Sequence, residues 1–101
     1  SVGVAEISVK KYLEIKDENP DLIEINIAGI GSGFFWYDIA AKVRGKDRLY
    51  CLPKNFVLEL DNYKSLLDSG IANRKNEGRL DETDAIAMII LSELQTTFPC
   101  K

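Results

Sequence analysis

The sequence contains no histidine among its 101 residues. Histidine is the commonest general base, the commonest zinc ligand and the usual partner of a serine or cysteine nucleophile, so most familiar hydrolase arrangements are excluded. An enzyme built on carboxylates alone would need a convergent acid pair. Asp17 with Glu18, and Asp81 with Glu82, are adjacent and point in different directions on a helix, so we expect caps and solubilising charge. We therefore predict neither enzymatic activity nor a cofactor.

Cysteine is scarce, and the two cysteines, Cys51 and Cys100, are far apart in the chain. Their number and spacing exclude CxxC redox motifs and four-ligand zinc sites, so we expect no metal. One disulfide and two free thiols both remain open at this point. If the two cysteines pair, the bridge closes a loop of about 50 residues and adds about 4 kcal/mol to the free energy of unfolding in the chain-entropy model.

Long apolar runs and a strong charge of either sign are also missing. Ser92 and Glu93 interrupt the longest apolar cluster, residues 85–91, so we expect no membrane insertion. The net charge of −3 offers no general attraction to a phosphate backbone, so we expect no nucleic-acid partner. Hydrophobic residues make up 46% and charged residues 29%, which is the balance of a globular chain. The length predicts one domain over residues 1–101.

The first half of the chain has hydrophobic spacing that predicts two helices. Residues 8–16 are amphipathic, with Ser8 as the N-cap. Residues 21–44 are ambiguous, because three isoleucines alternate with polar residues as in a strand whereas the aromatic second half has helical spacing. We predict one long central helix here, ended by Gly45 and followed by an irregular connection over residues 46–55.

The second half predicts two further helices. We expect the third to begin just after Asn55 and the fourth to have residues 81–84 in its first turn, where acids complement the helix dipole. Residues 73–79 are the most polar stretch between them and predict an exposed, mobile loop. The expected buried faces are Phe56, Leu60, Tyr63, Leu66, Leu67 and Ile71 in the third helix, and Ala85, Met88, Ile89, Leu91 and Phe98 in the fourth. Together these patterns predict an all-α domain of four to five helices.

Two local clusters have ordinary structural interpretations. The glycine-rich stretch 29–33 lacks the spacing and the Lys-Ser/Thr ending of phosphate-binding loops. We expect its small side chains to let a neighbouring helix approach closely; they are Ala28, Gly29, Ser32 and Gly33. A basic run follows the central helix, and we expect it to be a solvated surface; it consists of Lys42, Arg44, Lys46 and Arg48.

Four consecutive aromatic residues, Phe34, Phe35, Trp36 and Tyr37, lie in the predicted central helix. Successive helical residues point about 100° apart, so the four cannot all be buried against one neighbour. Phe35 and Tyr37 each fit a position in the core. Because aromatic residues are enriched at interface centres, we expect the group as a whole to form a contact surface, and specifically a homodimer interface.

Two more specific motifs lie in the second half of the chain. One is Leu-Tyr-Cys-Leu-Pro at residues 49–53, and the other is Phe-Pro-Cys at residues 98–100, at the end of a long apolar helix. Together with the glycine-containing aromatic helix at residues 29–37, they resemble the type VI secretion amidase immunity proteins, the Tai/Rap family. The similarity extends from about residue 21 to residue 100. The chain departs from the family at residues 75–78, where Lys-Asn-Glu-Gly replaces a His-Pro or similar break.

The resemblance implies a small, all-helical periplasmic protein with a disulfide between Cys51 and Cys100, working as a homodimer. Its partner would be a cognate amidase injected by neighbouring bacteria, which is similar to papain-like cysteine peptidases and cleaves peptidoglycan peptide stems. The immunity protein would block the active-site groove of that enzyme. The periplasm also preserves disulfides. Because the chain begins Ser-Val-Gly-Val, without an initiator methionine or a signal peptide pattern, we expect a mature chain from which the signal peptide has been removed.

A protein that blocks a groove needs an exposed protrusion on a rigid base. The polar stretch between the last two predicted helices fits this requirement best, with acidic side chains of the third helix in support. The expected toxin-binding residues are Arg74, Lys75, Asn76, Glu77, Gly78 and Arg79, together with Glu59, Asp61 and Asp68. The alternative is a small periplasmic chaperone of the acid-stress type, whose 16 acidic groups would lose charge at low pH and release apolar surface.

Overall fold

A computed structural model describes residues 6–101, and in this range the fold is all-α. Four helices follow one another: α1 Val9–Ile15, α2 Pro20–Val43, α3 Leu60–Asn76 and α4 Ile86–Thr97. The same range has no strand, only an isolated bridge between Ser8 and Ala85. The predicted fold class is thereby confirmed. The expectation about how the chain starts, at residues 1–4, lies outside the described residues.

Short polar side chains begin the first two helices, as the sequence predicts for α1. The Ser8 hydroxyl accepts a hydrogen bond from the backbone N–H of Lys11 at 3.1 Å. The Asn19 side chain accepts one from the N–H of Leu22, and Pro20 takes the first helical position, where its fixed φ suits a helix start. At the other end of α2, Gly45 has φ +65° and closes the helix, as predicted.

The isoleucines near the start of α2 decide the ambiguity in that segment. Ile23 and Ile27 are buried four residues apart on one side of the helix, whereas Ile25 is 71% exposed. Helical spacing therefore prevails over the strand-like alternation, because only the pair four residues apart has a core to pack against. The prediction of one long helix is confirmed.

The predicted start of α3 is wrong. The helix begins at Leu60, where the Asn62 side chain accepts a hydrogen bond from the Glu59 backbone N–H at 2.7 Å. Phe56 lies before the helix and is exposed, while Tyr63, Leu67 and Ile71 are buried as expected. Residues 46–59 form an irregular connection that is longer than predicted, because the cap at Glu59 competes successfully with an earlier start.

The predicted start of α4 is also wrong. Residues 81–84 precede the helix, and the Asp81 carboxylate accepts hydrogen bonds from the backbone and hydroxyl of Thr83. The backbone next to them pairs with the start of α1, with Val9 N–H donating to the Asp84 carbonyl at 2.8 Å. These bonds use groups that a helix would need, so α4 begins only at Ile86. Met88, expected in the core, is exposed, and the fully buried residues are Ile86, Ile89, Ile90 and Leu94.

The core lies where α3 packs along α4, with α2 and α1 covering it. The α1 helix contributes Val9 and Tyr12, and the Tyr12 hydroxyl donates a hydrogen bond to the Asp68 carboxylate of α3. Burial of these side chains is the main favourable term in folding. The fully buried core residues include Ile27 of α2, Leu67 of α3 and the four apolar residues of α4.

A disulfide joins Cys51, in the irregular connection, to Cys100, after α4. The pairing implied by the family resemblance is thereby confirmed. The Cys51 backbone N–H also donates to the carbonyl of Phe98 at 2.8 Å, and the Phe98 ring packs on Phe56 with their centroids 5.4 Å apart. The bridge therefore fixes an otherwise irregular segment to the end of α4.

Gly70 allows α3 and α4 to approach each other closely. A Cβ added at this position would lie 2.7 Å from Ile89 Cγ2 and 2.8 Å from Glu93 Cγ. Gly70→Ala is expected to lower the free energy of unfolding by about 1–2 kcal/mol, because overpacking outweighs the gain in helix propensity. Ser69→Ala, at the neighbouring exposed position of α3, is the control, since it changes helix propensity without crowding α4, and it should change stability by no more than about 0.5 kcal/mol. Urea unfolding followed by circular dichroism measures both, and equal effects would contradict the close approach.

Candidate functional site

Arg74, expected on an exposed loop, lies in the interior and is only 7% exposed. Its guanidinium donates to the Gly70 carbonyl at 3.2 Å and to the Ser92 hydroxyl at 3.1 Å. The same group lies 3.5 Å from the Glu93 carboxylate of α4. Because α4 supplies two of these partners, Ser92 and Glu93, α3 continues through Asn76, and the prediction of a mobile loop is wrong for residues 73–76. Arg74 connects α3 to α4 and is not available at the surface.

The end of α3 forms an ordered, exposed turn, which we call the α3 turn and define as residues 75–79. Gly78 has φ +68°, a backbone conformation that glycine adopts without steric cost. The Gly78 N–H donates to the Lys75 carbonyl, and the Arg79 N–H donates to the Arg74 carbonyl at 2.9 Å. This is the Schellman arrangement, which satisfies carbonyls that would otherwise be unpaired. The predicted exposure is confirmed for all five residues: Lys75, Asn76, Glu77, Gly78 and Arg79.

An ion pair lies on the surface of the α3 turn. The Arg79 guanidinium donates to the Glu77 carboxylate at 2.7 Å. This hydrogen bond lowers the pKa of the Glu77 carboxyl and raises the pKa of Arg79. Both groups are fully exposed, so the pair orients charge toward solvent and adds little to stability.

The three acidic residues expected to support the loop are spread along α3. Glu59 precedes the helix and is about 24 Å from Lys75 along its axis, at about 1.5 Å per residue. Asp61, Asp68 and Lys75 follow one another at intervals of seven residues and share one face. Asp68 also accepts the hydrogen bond from Tyr12. The structure thus brings Asp68 near the α3 turn and leaves Glu59 and Asp61 at the other end of the helix.

The four consecutive aromatic residues of α2 divide between core and surface. Phe34 is half-buried and packs against the core, whereas Phe35, Trp36 and Tyr37 are exposed. A core position for Phe35 or Tyr37 is therefore wrong, because each side chain is more than half exposed. The expectation that at least one ring faces outward is confirmed.

Trp36 belongs to a longer exposed stripe, which we call the α2 face. Its members recur at helical spacing on the side of α2 opposite the buried isoleucines, and they are Leu22, Ile25, Gly29, Gly33, Trp36 and Val43. A Cβ added at Gly29 or Gly33 would meet nothing within 4 Å. The predicted role of these two glycines in helix packing is wrong for the described chain. Gly31 has that role instead, since its added Cβ would lie 2.7 Å from the Tyr63 ring.

A groove of 470 Å³ lies between the second half of α2, the irregular connection and the start of α3. We call it the tyrosine groove, because Tyr50 and Tyr63 line it and are only 2% and 8% exposed. On one side the Arg48 guanidinium donates two hydrogen bonds, of 2.9 and 2.7 Å, to the Asp38 carboxylate. This pairing raises the pKa of Arg48 and holds the connection against α2. The other members of the predicted basic run are exposed, as expected: Lys42, Arg44 and Lys46.

Burial of three tyrosine hydroxyls makes the fold sensitive to alkaline pH. Desolvation raises the pKa of Tyr50 to about 12 and raises the pKa values of Tyr12 and Tyr63. Above pH 10 the unfolded chain releases phenol protons that the folded chain keeps, so the free energy of unfolding should fall as pH rises from 10 toward 12. Thermal unfolding across this range, with tyrosinate absorbance followed in parallel, measures the loss. Tyr50→Phe should reduce the slope, and a flat profile would contradict the burial effect.

Sequence reasoning missed the tyrosine groove. The sequence showed the basic run at the end of α2, part of which forms the rim of the groove, and the motif that contains Tyr50 and Cys51. The groove itself depends on the irregular segment that precedes α3, and the sequence pattern assigned the last four residues of that segment, 56–59, to a helix.

Within residues 6–101 no cluster of three or more cysteine, aspartate or glutamate side chains could hold a metal ion. In the same range no helix is long and apolar enough to cross a membrane. Comparison with protein-family models, with curated proteins and with solved structures found no match for this chain.

Proposed function

We propose that this chain is an immunity protein of the type it resembles, which binds a cognate type VI secretion peptidoglycan amidase and blocks its active-site groove. The main support is the disulfide between Cys51 and Cys100, because it joins the two motifs on which the resemblance depends. The all-α fold agrees with the same family. We assign the protein to the periplasm, where a disulfide persists and where peptidoglycan is cleaved.

The α3 turn is the surface best suited to enter an enzyme groove. It protrudes at the end of a 17-residue helix, and its Schellman hydrogen bonds and the buried Arg74 beneath it restrict its conformations. A preordered segment loses little conformational entropy on binding, so more of the contact energy contributes to affinity. We assign direct contact with the amidase to Lys75, Asn76, Glu77, Gly78 and Arg79, and a supporting role to Arg74.

Charge on the α3 turn favours rapid encounter with a partner. Lys75 and Arg79 are exposed cations, and Glu77 orients the second of them. Asp68 lies on the same face of α3, about two helical turns earlier, and extends the surface with negative charge. Charges at an interface rim act chiefly on the association rate, which matters for an inhibitor that must reach a toxin before the cell wall is cut.

The inhibition test uses the amidase encoded beside the gene for this chain. Purified protein should abolish cleavage of peptidoglycan by that enzyme at a near-stoichiometric ratio. Lys75→Glu combined with Arg79→Glu should raise the concentration needed for half-inhibition by at least about tenfold, because it reverses the charge of the contact. Lys10→Glu combined with Lys11→Glu changes the net charge equally on the exposed side of α1 and should leave inhibition intact.

Two results would contradict this proposal. If the unaltered protein fails to inhibit every amidase encoded beside the gene, the assignment as an immunity protein is wrong. If inhibition occurs but both charge-reversed variants inhibit equally, the α3 turn is not the contact surface. Circular dichroism of each variant confirms that it is folded before inhibition is measured.

We also propose that the α2 face is a homodimer interface. Its large residues, Ile25 and Trp36, flank two exposed glycines, so a second α2 could approach closely at the middle of the helix. The start of α2 carries Asp21, and its end carries Lys42 and Arg44. An antiparallel pair related by a two-fold axis would place each acidic end beside a basic end of the other copy.

A matched pair of valines tests this interface. Val43 on the α2 face is 80% exposed, and Val57 outside it is 76% exposed. Val43→Asp should convert the dimer to a monomer, because it places a charge in an apolar contact, whereas Val57→Asp should leave the dimer intact. Light scattering coupled to size-exclusion chromatography measures the mass. A monomer in the unaltered protein, or equal effects of both substitutions, would contradict this interface.

A further inference from the structure

We propose that the tyrosine groove binds an extended, acidic peptide segment of a partner protein. This inference goes beyond the proposed inhibition, which takes place at the α3 turn and does not involve the groove. The occupant is specified by four properties of the groove: its unpaired phenol donors, its local positive charge, its apolar walls and the free backbone of the irregular connection.

The hydroxyls of Tyr50 and Tyr63 are the first of these properties. Each side chain is more than nine-tenths buried and lines the groove. Within residues 6–101, Tyr12 is the tyrosine whose hydroxyl is hydrogen-bonded to another side chain, and neither groove hydroxyl has such a partner. Asn26 Oδ1 is the buried side-chain atom without a hydrogen-bond partner in residues 6–101, so the two tyrosine hydroxyls still meet the solvent of the groove, and a ligand that accepts hydrogen bonds can replace that water.

The charge around the groove is opposite in sign to that of the chain as a whole. Three cationic side chains, Lys42, Arg48 and Lys54, and one carboxylate, Asp38, line the groove, which gives its lining a net charge of +2 on a chain of net charge −3. Asp38 is already paired with Arg48. Lys42 and Lys54 line the groove and remain exposed. A carboxylate would therefore be attracted here and would meet phenol and ammonium donors.

The walls of the groove are apolar and open to solvent. Phe35, Phe56 and Val57 line it and are exposed, and Leu58 lies beside them. A neighbouring cavity of 340 Å³ shares Phe35, Leu58 and Tyr63 with it, so the two form one elongated groove. An elongated open groove suits a chain that alternates apolar and acidic side chains better than it suits a compact molecule.

The irregular connection also offers backbone groups to such a chain. In the described part of the protein, the N–H groups of Val57 and Leu58 donate no hydrogen bond, while Phe56 N–H donates to the Pro53 carbonyl. An extended peptide could pair with this segment in the manner of an added strand. The disulfide at Cys51 holds the connection in place, so pairing would require little rearrangement.

The test uses a short fluorescent peptide that alternates leucine and glutamate and has blocked ends, with fluorescence anisotropy as the readout. The glutamate peptide should bind with a dissociation constant below 1 mM, a glutamine version should bind about tenfold more weakly, and a lysine version should not bind. Lys42→Glu combined with Lys54→Glu should weaken binding at least about tenfold. Tyr63→Phe keeps the ring and removes one donor, so it should weaken binding about fivefold.

Lys10→Glu on α1 is the control and should bind the glutamate peptide as the unaltered protein does, since Lys10 lies outside the groove. Absence of binding up to 1 mM, equal binding of all three peptides, or insensitivity to the groove substitutions would overturn the proposal. Equally strong binding of hexanoate would also overturn it, in favour of a small carboxylate site. The Lys42 and Lys54 variants should still inhibit the amidase, so the inhibition assay separates failure of this proposal from failure of the first.

Discussion

Replacing both cysteines, Cys51→Ser with Cys100→Ser, is expected to lower the free energy of unfolding by about 4 kcal/mol. The bridge links residues 49 positions apart, so breaking it releases a long loop in the unfolded chain. It also removes the covalent cross-link between the irregular connection and the segment after α4. Urea unfolding followed by circular dichroism measures the loss: the urea midpoint should fall, and the slope should rise because the unfolded chain without the bridge is less compact.

Reduction of the unaltered protein provides the control for this substitution. A reducing agent should lower stability to that of the double serine variant, and it should have no effect on the variant itself. If the variant retains the stability of the oxidised protein to within about 1 kcal/mol, the bridge is not a stabilising element. If the variant is much less stable than the reduced protein, the serines themselves disturb the contact between Cys51 and Phe98.

The local consequence of losing the bridge should be largest around the tyrosine groove. Tyr50 and Phe56 lie on the irregular connection, whose contacts with the end of α4 include the packing of Phe56 on Phe98. Without the bridge, these contacts must hold a segment of 14 residues that has no regular structure. Amide hydrogen exchange in the serine variant should therefore increase in residues 46–59 before it increases in α3 or α4.

Arg74→Ala is expected to lower the free energy of unfolding by about 3–4 kcal/mol. The substitution removes two hydrogen bonds and leaves the partly buried Glu93 carboxylate without its cation. It also removes an aliphatic stem that fills the space between α3 and α4. Urea unfolding measures the change, and Arg74→Met, which keeps much of that stem, should recover part of the loss.

Arg79→Ala is the matched control, because the two arginines are five residues apart and differ in burial. Arg79 is exposed, so its removal should leave the free energy of unfolding almost unchanged. Combining Arg74→Ala with Glu93→Gln should cost less than the sum of the single changes, since the pair is removed together. Additive costs would contradict direct coupling between α3 and α4 through these side chains.

Substitutions of the two arginines also distinguish an effect on folding stability from an effect on amidase binding. Arg74 supports the α3 turn from beneath, whereas Arg79 lies on its surface. An Arg79 substitution should therefore affect binding of an amidase with little effect on folding. An Arg74 substitution should affect both, because loss of its contacts with α4 releases the end of α3.

Several features of the fold could be predicted from the sequence because they depend on neighbouring residues. Ser8 caps α1 through a group three residues away, and Gly45 ends α2 through its own backbone. The pairing of Cys51 with Cys100 was different, since spacing left it open and only the family resemblance implied it. The homodimer, the amidase partner and the periplasmic location stay proposals, and the inhibition and mass measurements test the first two.

Two of the errors, at residues 73–76 and 81–84, involve contacts between segments distant in the sequence. Polar residues 73–76 predicted a loop, yet Ser92 and Glu93 of α4 satisfy Arg74 and allow α3 to continue. Residues 81–84 predicted a helix start, yet their backbone pairs with the beginning of α1. In both places the local preference for loop or helix contributes less free energy than the hydrogen bonds that form only in the folded chain.

By itself, the sequence determined that this protein is helical, because hydrophobic spacing, caps and glycine positions act over a few residues. The absence of histidine excluded most familiar hydrolase arrangements, and the wide separation of the two cysteines excluded CxxC redox motifs and four-ligand zinc sites. Tertiary structure alone decided which polar residues are buried, which glycines are crowded and where a groove opens. Those outcomes depend on what lies opposite each side chain, and the partner comes from another helix, up to 56 residues away for Tyr12 and Asp68.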